Sequence, residues 1–232
     1  MRDYLFPPLI LPIFVLLVLL PFLALLFVLT GSEVFRVVFG VSYNDALLIF
    51  GLIVIGSFIN LPLYEREGKE IVMRYRFFGF IYTIRKREKI VVAVNLGGCV
   101  FPSILALKVL LNLSSQISLT EWFFAFALTS LVIYYFAKPV PGVGIVVPMF
   151  VPPLAASSLS LLTLLLFGDP IVLLPKLSFS VGILSALFGA DILHLREIEE
   201  VGSGVVSIGG AGTFDGIFLT GIFAVIFSLI MI

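Results

Sequence analysis

VVSIGGAGTFDGIFLTGIFAVIF, Val205 to Phe227, decides how this chain is read. It has the composition of a membrane helix, but Gly209, Gly210 and Gly212 and a carboxylate, Asp215, stand where lipid-facing leucines are expected. An ionisable side chain in hydrocarbon costs ~2.5–3.5 kcal/mol on insertion scales, so it marks a functional site by default.

The rest of the chain has the same character. Its 232 residues are 61% hydrophobic and 12% charged, with mean hydropathy +1.24. That composition excludes a soluble domain and predicts a single polytopic membrane domain over residues 1–232. Net charge is zero, so no global field points to nucleic acid. Cys99 is the only cysteine, which excludes an internal disulfide framework and a cysteine-based zinc cluster. The run from Leu5 to Thr30 is too long for the core of a signal peptide and reads as a first span.

Seven apolar stretches suffice to cross ~30 Å of hydrocarbon: 5–30, 44–63, 90–113, 120–138, 143–167, 170–193 and 204–232. The expected fold is all-α, with about seven transmembrane helices, some broken by glycine or proline. Arg66, Lys69, Arg74, Arg76, Arg85, Lys86, Arg87 and Lys89 crowd one loop, and Arg2, Lys138 and Arg196 share its side if spans alternate. The positive-inside rule makes that side cytoplasmic, with the N-terminus inside the cell membrane and the C-terminus outside. Within the loop, Glu70 to Arg85 alternates basic with apolar residues around Phe78-Gly79, which predicts a short β-hairpin over 70–85. It either rests on anionic headgroups or offers an edge to an extended peptide.

VNLGG at Val94 to Gly98 is echoed by VSIGG at Val206 to Gly210. Each continues into a helix start, one at Phe101-Pro102-Ser103 and one at Thr213-Phe214-Asp215. The segments 94–102 and 206–215 therefore read as matching glycine-broken helices whose backbone needs partners from protein or a water-filled cavity. Asn95, Gly97, Gly98, Ser207, Gly209, Gly210, Gly212 and Thr213 become candidate substrate- or ion-binding residues. Between the two lies AKPVPGVGIVVPMFVPPLAA, 137–156, whose five prolines predict a kinked or partly extended entry to a span.

Asp191, in LFGADILHL, joins Asp215 as the second acid in apolar surroundings beside irregular backbone. Straight helices would offset the two by ~10 Å along the membrane normal; the GGAG break allows them to approach. Two carboxyls in contact share one proton, so one activates water while the other polarises a carbonyl. The strings FDGIF and FGAD resemble the aspartate motifs of intramembrane aspartyl proteases, and PPLAA at 152–156 resembles their proline-alanine-leucine motif. In that family the aromatic aspartate comes first and the proline motif last; here the order is reversed.

AVNLGGCVFP, AKPVPGVGIVVP, GADILHL and SIGGAGTFDGIFLTGI together resemble an uncharacterised prokaryotic membrane family, domain of unknown function 1614, across about residues 60 to 230. That resemblance implies a polytopic membrane protein and supplies no reaction.

Among cofactor motifs, no Walker loop, dinucleotide fingerprint or HExxH is present, and no cofactor is expected. His194, the sole histidine, follows Asp191 by three residues, but an interfacial histidine explains it without a metal. The expected partners are the bilayer and either a membrane-embedded peptide or a small solute. The leading expectation is an aspartyl-protease-like hydrolase with catalytic Asp191 and Asp215. Its rivals are a proton- or cation-coupled transporter built on the two glycine breaks, and a scaffold without catalysis.

Overall fold

In a computed structural model, residues 7–77, 80–140, 144–197, 204–210 and 216–232 are described. The chain forms two compact units, Met1–Gly51 and Leu52–Ile232. Seven α-helices occur among the described residues, and four helical runs are long and apolar enough to cross a membrane: Ile13–Phe39, Leu96–Leu113, Leu119–Phe136 and Ile171–Glu197.

The first unit is dominated by α1, Pro7–Phe39, 33 residues or about 50 Å long. It outruns the expected span, 5–30, because Gly31-Ser32 does not break it. Ser32 Oγ donates to the Val28 carbonyl at 2.8 Å, and Glu33 pairs with Arg36 at 2.9 Å one turn on. Gly31 sits against the Phe50 ring, where a Cβ would collide. Helix α2, Tyr43–Gly56, begins at Ser42, whose Oγ accepts from the Asp45 N–H at 3.2 Å.

Residues 44–63 were expected as one span, but α2 stops at Gly56 and the chain becomes strand β1, Asn60–Phe77. Pro62 lacks the N–H a helix interior needs, and pairing with β2, Phe80–Asn95, satisfies this backbone instead. The hairpin is thus far longer than 70–85, and its expected turn at Phe78-Gly79 lies outside the described residues. It takes the first residues of expected span three as well. There β2 ends at Asn95 and passes straight into a π-helical turn, Leu96–Val100, and then α3, Phe101–Leu113.

Helix α4, Leu119–Phe136, opens on a capping box between Ser118 and Glu121. A two-stranded ribbon follows, β3 (Lys138–Val140) and β4 (Gly144–Val146), so Pro139 lies in extended chain. Pro152 and Pro153 then occupy the first turn of α5, Val151–Phe167, where their missing N–H groups cost nothing. Of the proline-rich entry, Lys138–Val140 and Gly144–Val146 are extended, Pro141 lies outside the described residues, and the helix starts at Val151 without a break.

Helix α6, Leu174–Ala186, is the centre of the second unit, buried along nearly its whole length and packed by α3, α4, α5 and α7 (Gly216–Met231). Small residues permit this. A Cβ added at Gly182 would lie 3.3–3.4 Å from Ala156, Ala224 and Thr220, and Gly221 lies under Ile183. The Trp122 indole donates to Ser180 Oγ at 2.9 Å, satisfying the one polar atom that ring buries. Outward positions such as Phe123, Leu131, Leu165 and Leu166 are exposed and apolar, as lipid contact demands.

Candidate functional site

At one end of the second unit the strands and irregular turns converge. Strand β5, Gly204–Ile208, pairs in parallel with β2, Val92 opposite Val206 and Val94 opposite Ile208. Ile90 and Val92 are buried beneath Val206, Ile208 and Leu195. The two echoing stretches are therefore neighbouring strands, each leading to a glycine pair. The first pair, Gly97-Gly98, lies in the π turn that opens the run into α3, and the residues that follow the second pair, 211–215, lie outside the described residues.

The first pair is tightly enclosed. Asn95 is fully buried; its Nδ2 donates to the Ser57 carbonyl at 2.7 Å and to Asn60 Oδ1 at 3.0 Å, and its Oδ1 accepts from the Gly98 N–H at 2.6 Å. Gly97 abuts the backbone of Ile53, Gly56 and Ser57, and Gly209 abuts Gly98 and Cys99, where an added Cβ would lie 2.5 Å from the Cys99 Cβ. Gly209 and Gly210 have φ of +83° and +82°, open to glycine at little cost. Ser207 Oγ donates to Asn60 Oδ1 at 2.6 Å. Asn95 and Ser207 thus meet on Asn60, a residue sequence reasoning missed. Its only signal was a lone amide between Ser57 and Tyr64. Gly212, Thr213 and Asp215 lie outside the described residues.

This polar clamp makes a prediction. Asn95→Ala should lower stability by about 2 kcal/mol, because it strands the buried Ser57 carbonyl and Gly98 N–H. Ser207→Ala should cost well under half as much, since Ser207 is only partly buried. Thermal unfolding of the two variants in detergent checks the ranking.

Asp191 lies in a second π-helical turn, Leu187–Ile192, closed by the Leu193 N–H to the Phe188 carbonyl at 3.0 Å. Single π turns within α-helices are frequent at functional sites. Gly189 brings this turn onto α4, where a Cβ would fall 2.6 Å from the Ser130 carbonyl. Asp191 faces a cavity of about 260 Å³ whose walls include Ile133, Ile145, Val146, Ile217 and Thr220. Gly216, the residue after Asp215 in the chain, lines the same cavity. The Thr220 hydroxyl is engaged by the Gly216 carbonyl at 2.5 Å.

His194 does not accompany Asp191 into this space. It is buried, with Nδ1 3.1 Å from the Gly189 carbonyl and its ring 4.7 Å from that of Tyr134. The i, i+3 facing expected of an α-helix is lost because the backbone between the two residues leaves the π turn.

A carboxyl pair not foreseen occurs at the opposite end, where Asp169 meets Glu121. Burial, and then the hydrogen bond and charge of Glu121, raise the Asp169 pKa. A raised acid pKa means the folded state holds the proton more tightly, so stability falls as pH climbs from about 4 through the raised value. Asp169→Asn should flatten that dependence and stabilise the protein at neutral pH, by less than about 1 kcal/mol for a half-buried pair near the surface. Melting curves in detergent from pH 4 to 8 test this.

Helices with lipid-compatible outer faces, a small-residue interior and a strand-capped end with one acid-lined cavity define a polytopic helical membrane protein. The chain belongs to the family of proteins of unknown function DUF1614, whose pattern matches residues 54–227. That span includes the hairpin, both glycine turns and Asp191. No curated protein and no solved structure matches the chain.

Proposed function

We propose that the cavity is the active site of an intramembrane aspartyl hydrolase in which Asp191 and Asp215 share one proton. The observation that carries this reading is that one cavity is bordered both by Asp191 and by Gly216, next in sequence to Asp215. In the reaction, one carboxylate removes a proton from water as its oxygen attacks the scissile carbonyl carbon. The protonated partner gives its proton to the carbonyl oxygen. The tetrahedral diol then collapses: one of its hydroxyls returns a proton to the partner carboxylate, the C–N bond breaks, and the departing nitrogen takes a proton from the first acid, which restores the shared-proton pair. Apolar walls suit a membrane-embedded peptide, and the extended β4 beside Asp191 suits a substrate entering as extended chain.

The transporter reading has less behind it, because Gly209 lies against Gly98 and Cys99 and Gly97 lies against the end of α2. The basic end, holding the hairpin, Lys138 and Arg196, is assigned to the cytoplasm, with the N-terminus inside and the C-terminus outside. The test is cleavage of labelled transmembrane peptides by the full chain reconstituted in vesicles. Cleavage should occur and should require both acids. Proton-coupled solute flux without any cleavage would replace this reading with the transporter.

A further inference from the structure

The outer part of the hairpin has two chemically different faces, and the register separates them. Directly opposed residues of an antiparallel pair share a face. Ile71 is opposite Lys86, Met73 opposite Ile84, Tyr75 opposite Tyr82 and Phe77 opposite Phe80, which gives one face seven apolar or aromatic positions and a single lysine at its inner end. The alternate positions pair Glu70 with Arg87, Val72 with Arg85, Arg74 with Thr83 and Arg76 with Ile81, which places four arginines on the other. Each arm from these pairs outward is about 27 Å long at ~3.4 Å per residue.

We infer that this ribbon is a docking element for an anionic phospholipid surface, lying in the interface with its aromatic face toward the acyl chains. Three observations select that occupant. The ribbon is rooted directly in the membrane helices: β1 begins four residues after α2 ends, and β2 passes without a linker into the helical run at Leu96. Its base is thereby held at the bilayer edge, where Tyr and Phe partition favourably. The segment from Arg66 to Lys89 carries eight basic residues against three acidic ones, complementary to anionic headgroups.

Strand addition by a peptide fits less well. Strand β1 is one edge of the order β1-β2-β5, and it is interrupted by register shifts between Pro62 and Tyr64 and between Glu67 and Glu70; β2 outward of Ile90, which pairs with β1 alone, carries the charged run Arg85, Lys86, Arg87, Glu88 and Lys89. Strand β1 also alternates charges at Glu65, Arg66, Glu67, Lys69 and Glu70. Bulges and charges are how sheets refuse edge pairing.

The experiment uses the full chain with Cys99→Ser and single spin-labelled cysteines at 73, 75 and 82 on one face or 74, 81 and 83 on the other. The protein is reconstituted in phosphatidylcholine vesicles with or without phosphatidylglycerol. Collisions with oxygen report the bilayer, and collisions with a water-soluble nickel chelate report solvent. In anionic vesicles the first set should favour oxygen and the second the chelate, several-fold apart and alternating with period two. Replacing Arg74, Arg76, Arg85 and Arg87 with glutamine, or raising salt to 1 M, should shrink that contrast. Equal chelate access at both sets in anionic vesicles would overturn the inference. So would a contrast unchanged in detergent, which would mean that protein covers the aromatic face.

Discussion

Replacing Gly97 with alanine should destabilise the protein by about 3 kcal/mol or more, at or beyond the upper end of the overpacking range. The added methyl would collide with the Ile53 carbonyl and the Ser57 N–H and lie 2.7 Å from the Gly56 carbonyl carbon. These are backbone atoms, and no rotamer change moves them aside. Relief requires separating the end of α2 from the π turn, which also pulls Asn95 from the Ser57 carbonyl. Gly51→Ala is the matched control. A Cβ there meets nothing within 4 Å, and Gly51 lies inside α2. Alanine should be neutral or stabilise by up to ~1 kcal/mol. Unfolding temperatures of the two variants in one detergent decide the matter; a Gly97→Ala protein as stable as the parent would show that the strand-to-helix junction is not the tight joint described.

Asp191→Asn should reduce peptide cleavage by on the order of 10²–10⁴, the range for loss of a general acid or base. Asp215→Asn should do the same. Because the two share one proton in the proposed reaction, the double variant should be little worse than either single one. Asparagine keeps the shape of aspartate, so unfolding temperatures should stay near the parent's. Full cleavage by Asp191→Asn would remove Asp191 from the reaction, and a loss of folding along with activity would recast it as structural.

Helix number and order were readable in the sequence because lipid forces long apolar runs, and those runs are visible without tertiary information. The ends of the runs were not. VNL and VSI are apolar whether helical or extended, and a two-residue alternation inside a longer apolar stretch leaves no periodic signature. What makes Val94 and VSI strand is pairing between β2 and β5, more than a hundred positions apart in sequence, while Leu96 already belongs to the π turn. Both copies of the echo follow the end of a strand, β2 at Asn95 and β5 at Ile208. At Gly209 the missing side chain lets this backbone lie against that of Cys99. The early end of α2 has the same origin, because β1 is fixed by partners that begin at Phe80. Of the candidate site, Asp191 stood out as an acid among apolar neighbours, whereas Asn60 and the meeting of Asp169 with Glu121 depend on contacts that no local pattern announces.

The most direct test of the central claim is whether positions 191 and 215 meet. In a Cys99→Ser background, the D191C/D215C chain in vesicles would be treated with a short bifunctional thiosulfonate, and linked peptides would be read by mass spectrometry. The proposed dyad predicts rapid linkage within one chain, absent from either single variant. Two thiols that each react with a monofunctional reagent but are never joined would place the carboxylates too far apart to share a proton, and the hydrolase account would fall.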